Sequence, residues 1–240
     1  MSSYKEYFKR LNDGSLTMLD PTPKWGVLKS STTIAIGNSV SDANVIHDIK
    51  EHTMESILNA ESIEKYVALD EKDIFDMEYW ELEQAKLKKS SSKPEFEGKI
   101  VFVTGGASSI GKDCVENFVS KGAAVVALDI DSNIQSMYKK AQILGIKCDL
   151  TNEIEIDEAI KKAVFTFGGV DVLINSTINS LSAESELFFE KIATYLNLGF
   201  SPAVVNIFEN ENENIDYVFD ENIRVNTIVT SYYTHEKNIT

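Results

Sequence analysis

Cysteine, histidine and basic residues are all scarce in this chain of 240 residues, and each shortage excludes something. Two cysteines, Cys114 and Cys148, supply no disulfide framework, so a reducing compartment, the cytoplasm, is the expected setting. The three histidines are His47, His52 and His235, too few for a clustered zinc site. His47 and His52 stand on different faces of any helix that carries both, no third ligand accompanies them, and no metal is expected. Lys and Arg total 23 against 38 Asp and Glu, a formal charge of −15, which argues against non-specific binding to nucleic acid. There is no secretory leader and no run near the roughly 18 apolar residues of a membrane span, so no membrane partner is expected.

What the chain does contain is a strand, glycine turn, helix and second strand between residues 96 and 129. Ile100 to Val103 is apolar and β-prone, as a buried parallel strand should be. TGGASSIG follows at 104–111: Gly105 suits a tight turn, and Gly111 lets the next helix sit close to the sheet. The N–H groups where that helix starts, around Ser108, Ser109 and Ile110, are placed to face a pyrophosphate. A full G-x-x-x-G-x-G fingerprint would have its middle glycine at Ser109; the serine adds a side chain where a cofactor approaches closely, or offers it a hydroxyl. Val115, Phe118 and Val119 form the inner helix face, and Gly122 follows Lys121 as a helix stop. Ala123 to Leu128 is the next strand, ended by Asp129. An acid there accepts hydrogen bonds from an adenosine ribose and repels a 2′-phosphate, which favours NAD over NADP; the alternative is a plain solvated strand end.

The alternation continues to the end of the chain. Strands are expected at 142–148, 170–175, 203–208 and 223–229, with helices at 157–167 and 188–198. The fold class is therefore α/β: a Rossmann-like, mostly parallel sheet with a small N-terminal α/β appendage.

Residues 98–230 resemble the short-chain dehydrogenase/reductase family. The resemblance rests on TGGASSIG, Asp129, CDLT at 148–151, VDVLINST at 170–177, YLNLGF at 195–200 and IRVNTIVTSYYT at 223–234. It implies that Asp149 and Leu150 lie near an adenine and that Asn175 begins the segment beside the adenosine ribose. In place of the family's Asn-Asn-Ala-Gly the chain has Asn175-Ser176-Thr177-Ile178, which reshapes that pocket. Asn197 matches an asparagine that helps hold a water and the catalytic lysine. Past Ser201 the pattern collapses: the family's catalytic serine and its helix with Tyr-x-x-x-Lys belong after the strand at 203–208. Only FENENENIDYVFDEN stands there, and Tyr217 has Glu221 four residues on. The catalytic pair is therefore expected to be absent. Tyr232 and Tyr233 are read as packing or surface residues, and Lys237 is given no role. The chain also ends near residue 240, where the family adds a substrate lid, so the domain is read as shortened.

Residues 16–88 resemble instead the tail of the aldolase-like part of bifunctional sugar-phosphate aldolase/short-chain dehydrogenase proteins, through SDANVIHDIKEHTMESILNAES at 41–62 and DIFDMEYWELEQAKL at 73–87. Bottom-up, residues 43–66 form one long helix or two short ones, with a drifting stripe of Val45, Ile49, His52, Met54, Ile57, Leu58, Ile63 and Val67. The aromatic-rich segment at 74–88 is expected to pack in a core, and KKSSSKP at 88–94 reads as a linker. Two domains are expected, an appendage with linker at 1–94 and a shortened Rossmann domain at 95–240. The expected function is a degenerate dehydrogenase-like module that binds a nicotinamide dinucleotide or is structural, without hydride transfer. The alternatives are an NAD-dependent oxidoreductase acting on a sugar or sugar-phosphate alcohol and a non-enzymatic assembly component, with a homo-oligomer or protein partner.

Overall fold

The computed structural model describes residues 2–29, 32–82, 85, 93–176, 183–208 and 217–230. The chain divides into two units, Met1–Lys93 and Pro94–Thr240.

In the first unit, α1 (Ser2–Leu11) and α3 (Glu71–Glu78) hold a small aromatic core. Phe8, Phe75 and Tyr79 are buried, and the rings of Phe75 and Tyr79 stack 4.6 Å apart. Tyr4 Oη donates to Glu78 Oε1 at 2.8 Å, so the carboxylate is satisfied at the core's rim. Of the aromatic-rich segment, Phe75 and Tyr79 pack as expected, Trp80 and Leu82 are exposed, and Leu87 lies outside the described residues.

The rest of this unit is a hairpin of β1 (Trp25–Val27) and β2 (Thr33–Ala35) under the long helix α2 (Val40–Ile63). Ser39 caps α2, its hydroxyl accepting from the Asp42 N–H at 3.1 Å. The apolar stripe expected on α2 is not its packed face. Val45, Ile49, His52, Met54, Leu58, Ile63 and Val67 are exposed, and of the stripe only Ile57 is half-buried. Two three-residue strands are too small to cover a helix of 24 residues. The face they do cover carries Lys50, 2% exposed, whose Nζ donates to Thr33 Oγ1 at 2.7 Å and pairs with Glu51. A buried ammonium must be partnered, and Thr33 and Glu51 supply the partners.

The second unit is built on β3 (Ile100–Thr104), β4 (Ala124–Asp129), β5 (Ile143–Lys147), β6 (Val172–Asn175), β7 (Ala203–Phe208) and β8 (Arg224–Val229). All five pairings are parallel, in the order β5-β4-β3-β6-β7-β8. Side chains alternate across the sheet. Val101, Val103, Val125 and Ala127 face a layer that includes Val115 of α4 (Ser109–Ser120) and Ile134 of α5 (Ile134–Met137). Phe102, Val126, Leu128, Leu173 and Val204 face α6 (Glu153–Phe167) and α7 (Ala183–Leu196), through Ile156, Ile160, Phe188 and Ile192. Helices on both faces are what a parallel sheet requires. Asn152 caps α6, accepting from the Ile154 and Glu155 N–H groups, and Gly122 follows α4 with φ +96°, as its sequence position suggested. Among the described residues no helix is long and apolar enough to cross a membrane.

β8 is different. All six of its residues are exposed, Val225, Ile228 and Val229 among them. The Arg224 N–H donates to Pro202 O and the Thr230 N–H to Phe208 O, so even-numbered residues face β7 and odd-numbered ones face away from it. Proline tolerance should follow that parity. Thr227→Pro is expected to shift stability by about 0.5 kcal/mol or less, as an edge change. Asn226→Pro should cost about 1–3 kcal/mol, because a β7 carbonyl loses its donor. Close approach yields a second expectation: a Cβ on Gly111 would lie 2.0 Å from Gly105 O, so Gly111→Ala should cost about 1–3 kcal/mol as the helix is pushed off the turn. Urea unfolding of the three variants beside the parent protein checks both.

Candidate functional site

The chain runs outward from β3 through β4 to β5, then crosses to β6 on the other side of β3. The crevice at this reversal opens at the carboxyl ends of β3 and β6, where open α/β sheets bind ligands. Gly105 ends β3 with φ +65°, a conformation that side chains resist. Ser108 then caps α4: its Oγ accepts from the Gly111 N–H at 3.0 Å, and its carbonyl accepts from the Lys112 N–H at 3.0 Å. The helical N–H groups of Ser109 and Ile110 precede Lys112, the first N–H with a helical carbonyl acceptor, and point out of the helix start, with the positive end of its dipole. The Ser109 side chain is exposed where the fingerprint has a glycine.

Asp129 reaches back to this turn. Its Oδ2 accepts from the Ala107 N–H at 2.8 Å and its Oδ1 from the Asp131 N–H at 2.9 Å. The half-buried carboxylate is thus oriented, and each oxygen keeps a lone pair for a further donor. At the end of β5, Asp149 Oδ1 accepts from the Thr151 N–H at 2.9 Å and Thr151 Oγ1 at 2.8 Å. These bonds hold its carboxyl below the usual carboxylate range. Leu150 packs half-buried on the core beside α6. Burial, with Glu155 and Asp149 nearby, pushes the Cys148 thiol up to about 12, so at neutral pH it is a packing group and not a nucleophile.

Asn175 is buried. Thr104 Oγ1 donates to its Oδ1 at 2.8 Å, and its Nδ2 lies 3.5 Å from Asn206 Oδ1. Thr104, Asn175 and Asn206 are partners in register, forming a polar rung across β3, β6 and β7. Ser176 Oγ donates to Thr104 O at 2.6 Å and closes the rung against the glycine turn. The structure therefore brings Gly105, Ser108, Ser109, Ile110, Gly111, Asp129, Asp149, Leu150 and Asn175 to one edge of the sheet. Residues 177–182, which continue the segment begun by Asn175, lie outside the described residues. Thr104 and Asn206 were not singled out as site residues by sequence; the available signal was a polar residue at the end of one apolar strand run and within another.

Two expectations need correction. Asn197 does not join this edge. α7 runs from the carboxyl end of β6 back to the amino end of β7, and Asn197 follows its last residue. There Asn197 Nδ2 donates to Asp220, ahead of β8, and its Oδ1 is buried without a partner. The motif matches, but the helix ends where it stands, so the side chain lies at the edge opposite the glycine turn. The second correction comes from the sequence itself. No Tyr-x-x-x-Lys stands between β7 and β8, yet Tyr233 and Lys237 have that spacing after β8. Both lie outside the described residues, as does the acidic stretch at 209–216. His47 and His52 are exposed on α2, and among the described residues no group of three His, Cys, Asp or Glu side chains is placed to hold a metal.

Residues 99–208 match the family model for short chain dehydrogenase, and residues 1–87 match the model for aldolase class II, second domain. The chain is 25% identical over 183 residues to the uncharacterized oxidoreductase YuxG of Bacillus subtilis (strain 168), covering 73% of this chain. It is 39% identical over 98 residues to short-chain dehydrogenase reductase 3c of Arabidopsis thaliana, covering 39% of this chain. The matches span 27% of the Bacillus protein and 38% of the Arabidopsis protein. A 3-ketoacyl-(acyl-carrier-protein) reductase structure from Brucella melitensis aligns at TM-score 0.40 and 22% identity, over 47% of this chain and 58% of that one. Residues 99–208 are thus similar to short-chain dehydrogenases, and residues 1–87 to the second domain of class II aldolases.

Proposed function

We propose that this chain is a degenerate short-chain dehydrogenase-like module that binds a nicotinamide dinucleotide, NAD in preference to NADP, and does not transfer hydride. In this reading residues 1–94 are an appendage with linker, residues 95–240 are the shortened Rossmann domain, and the cytoplasm is the setting. The observation that carries the binding half is the pair of N–H groups of Ser109 and Ile110 at the start of α4, beside the oriented Asp129 carboxylate. The N–H pair suits a pyrophosphate, and the carboxylate suits ribose hydroxyls and repels a 2′-phosphate. Asp149, Leu150 and the segment from Asn175 would line the adenosine side.

Position is what supports the reading that hydride is not transferred. General acid–base groups contribute roughly 10²–10⁴ in rate, and about 1 Å of misplacement costs near 10². Asn197 is at the wrong edge, and the interval between β7 and β8 has no Tyr-x-x-x-Lys. A second reading, an NAD-dependent oxidoreductase on a sugar or sugar-phosphate alcohol, is favoured by one observation. β8 delivers the chain to the carboxyl edge at Thr230, three residues before Tyr233 of the Tyr233–Lys237 pair.

Calorimetric titration separates these readings from a purely structural role. Saturable NADH binding is expected, with weaker NADPH binding and loss of the signal in Gly105→Ala, where a Cβ would meet Ser176 O at 3.0 Å at positive φ. No binding by folded protein would overturn the nucleotide reading. NADH consumption with a carbonyl sugar, abolished by Tyr233→Phe, would replace the inactive module by the enzyme.

A further inference from the structure

One peptide unit in the glycine turn is gripped at both ends. The Gly106 carbonyl accepts from Tyr138 Oη at 2.7 Å, and the N–H of the same peptide, on Ala107, donates to Asp129 Oδ2 at 2.8 Å. Both grips come from the chain that leaves β4: Asp129 is its last residue, and Tyr138 follows the short helix α5. The ring of Tyr138 packs half-buried on the layer of Ile134 and Val115. A phenol donor here is a choice, since a phenylalanine would fill the same space.

The plane needs holding. It sits between two glycines, Gly105 and Gly106, on one side and the helix cap on the other, and glycine resists peptide rotation least of all residues. Its direction is passed on at once. The next residue, Ser108, donates its N–H to Gly105 O at 2.9 Å and caps α4, so a turned Gly106–Ala107 plane would swing the helix start. Asp129 alone leaves the carbonyl end without a partner. Tyr138 supplies it, and burial, with Glu116 and Asp129 nearby, raises the phenol to about 12, so the proton it donates is present throughout the neutral range.

We propose that Tyr138 is a positioning residue for the nucleotide site: with Asp129 it fixes the Gly106–Ala107 peptide, and through it the Ser109 and Ile110 N–H groups that receive the phosphate. This rests on the nucleotide reading of that edge, and the test keeps the two apart. Tyr138→Phe retains the ring and removes the donor. In ligand-free protein, faster hydrogen exchange of the Ala107 and Ser108 amides, which are bonded to Asp129 and Gly105, is expected, with the β4 amides unchanged. In calorimetry, NADH binding should weaken about 3- to 10-fold, the loss of one net hydrogen bond. Asp129→Asn combined with Tyr138→Phe should lose less than the sum of the single losses, because both groups hold one peptide. Unchanged Ala107 exchange and unchanged affinity in Tyr138→Phe would overturn the proposal, as would strictly additive losses. If the parent protein binds no NADH, the nucleotide reading falls, and Ala107 exchange alone decides whether Tyr138 holds the turn.

Discussion

The distance between α4 and the turn after β3 is limited by a missing carbon. Gly111 brings the first turn of the helix so near Gly105 that a Cβ would stand 2.0 Å from the Gly105 carbonyl oxygen. With that approach allowed, the start of α4 lies beside the end of β4, and Asp129 can reach the Ala107 N–H. The same approach puts Val115 against the sheet with no exposed surface. A helix held farther out would lose core packing and the aim of its free N–H groups together, so fold and site share one constraint.

A second layer of order lies under the turn. Thr104, Asn175 and Asn206 put polar side chains at adjacent register positions of three buried strands. Such groups are costly unless they satisfy one another, and Ser176 completes the set by donating to Thr104 O. The rung buries the side chains of Asn175 and Ser176 beneath the glycine turn. The walls of the crevice are backbone: the glycine turn and the cap of α4.

Secondary structure was readable where the reasons are local. Val101 to Val103 and Val125 to Leu128 are strands because apolar, mostly β-branched runs buried on both faces leave no alternative, and Gly105 and Gly122 take the positive φ that their places demand. The helix at 153–167 began four residues before the expected 157 because Asn152, not the apolar periodicity, caps it. The stripe on α2 was misleading for a different reason. Periodicity says which residues share a face and not whether another element arrives to cover it; Lys50, a poor core candidate on composition, sits on the covered face.

The sequence by itself determined the strand–turn–helix unit at 100–120, the acid at the end of β4 and the parallel α/β class, because each depends on backbone conformation and on side-chain period. Which end of the sheet a residue occupies was decided only in three dimensions. Asn197 lies opposite the glycine turn because α7 is fourteen residues long and ends before it, a matter of helix length that a matching motif does not encode. Tyr138 meets Gly106 across 32 positions of sequence because α5 and β5 fold the chain back under the turn. Long-range contacts of this kind arise from how elements pack, and no pattern in the neighbouring residues announces them.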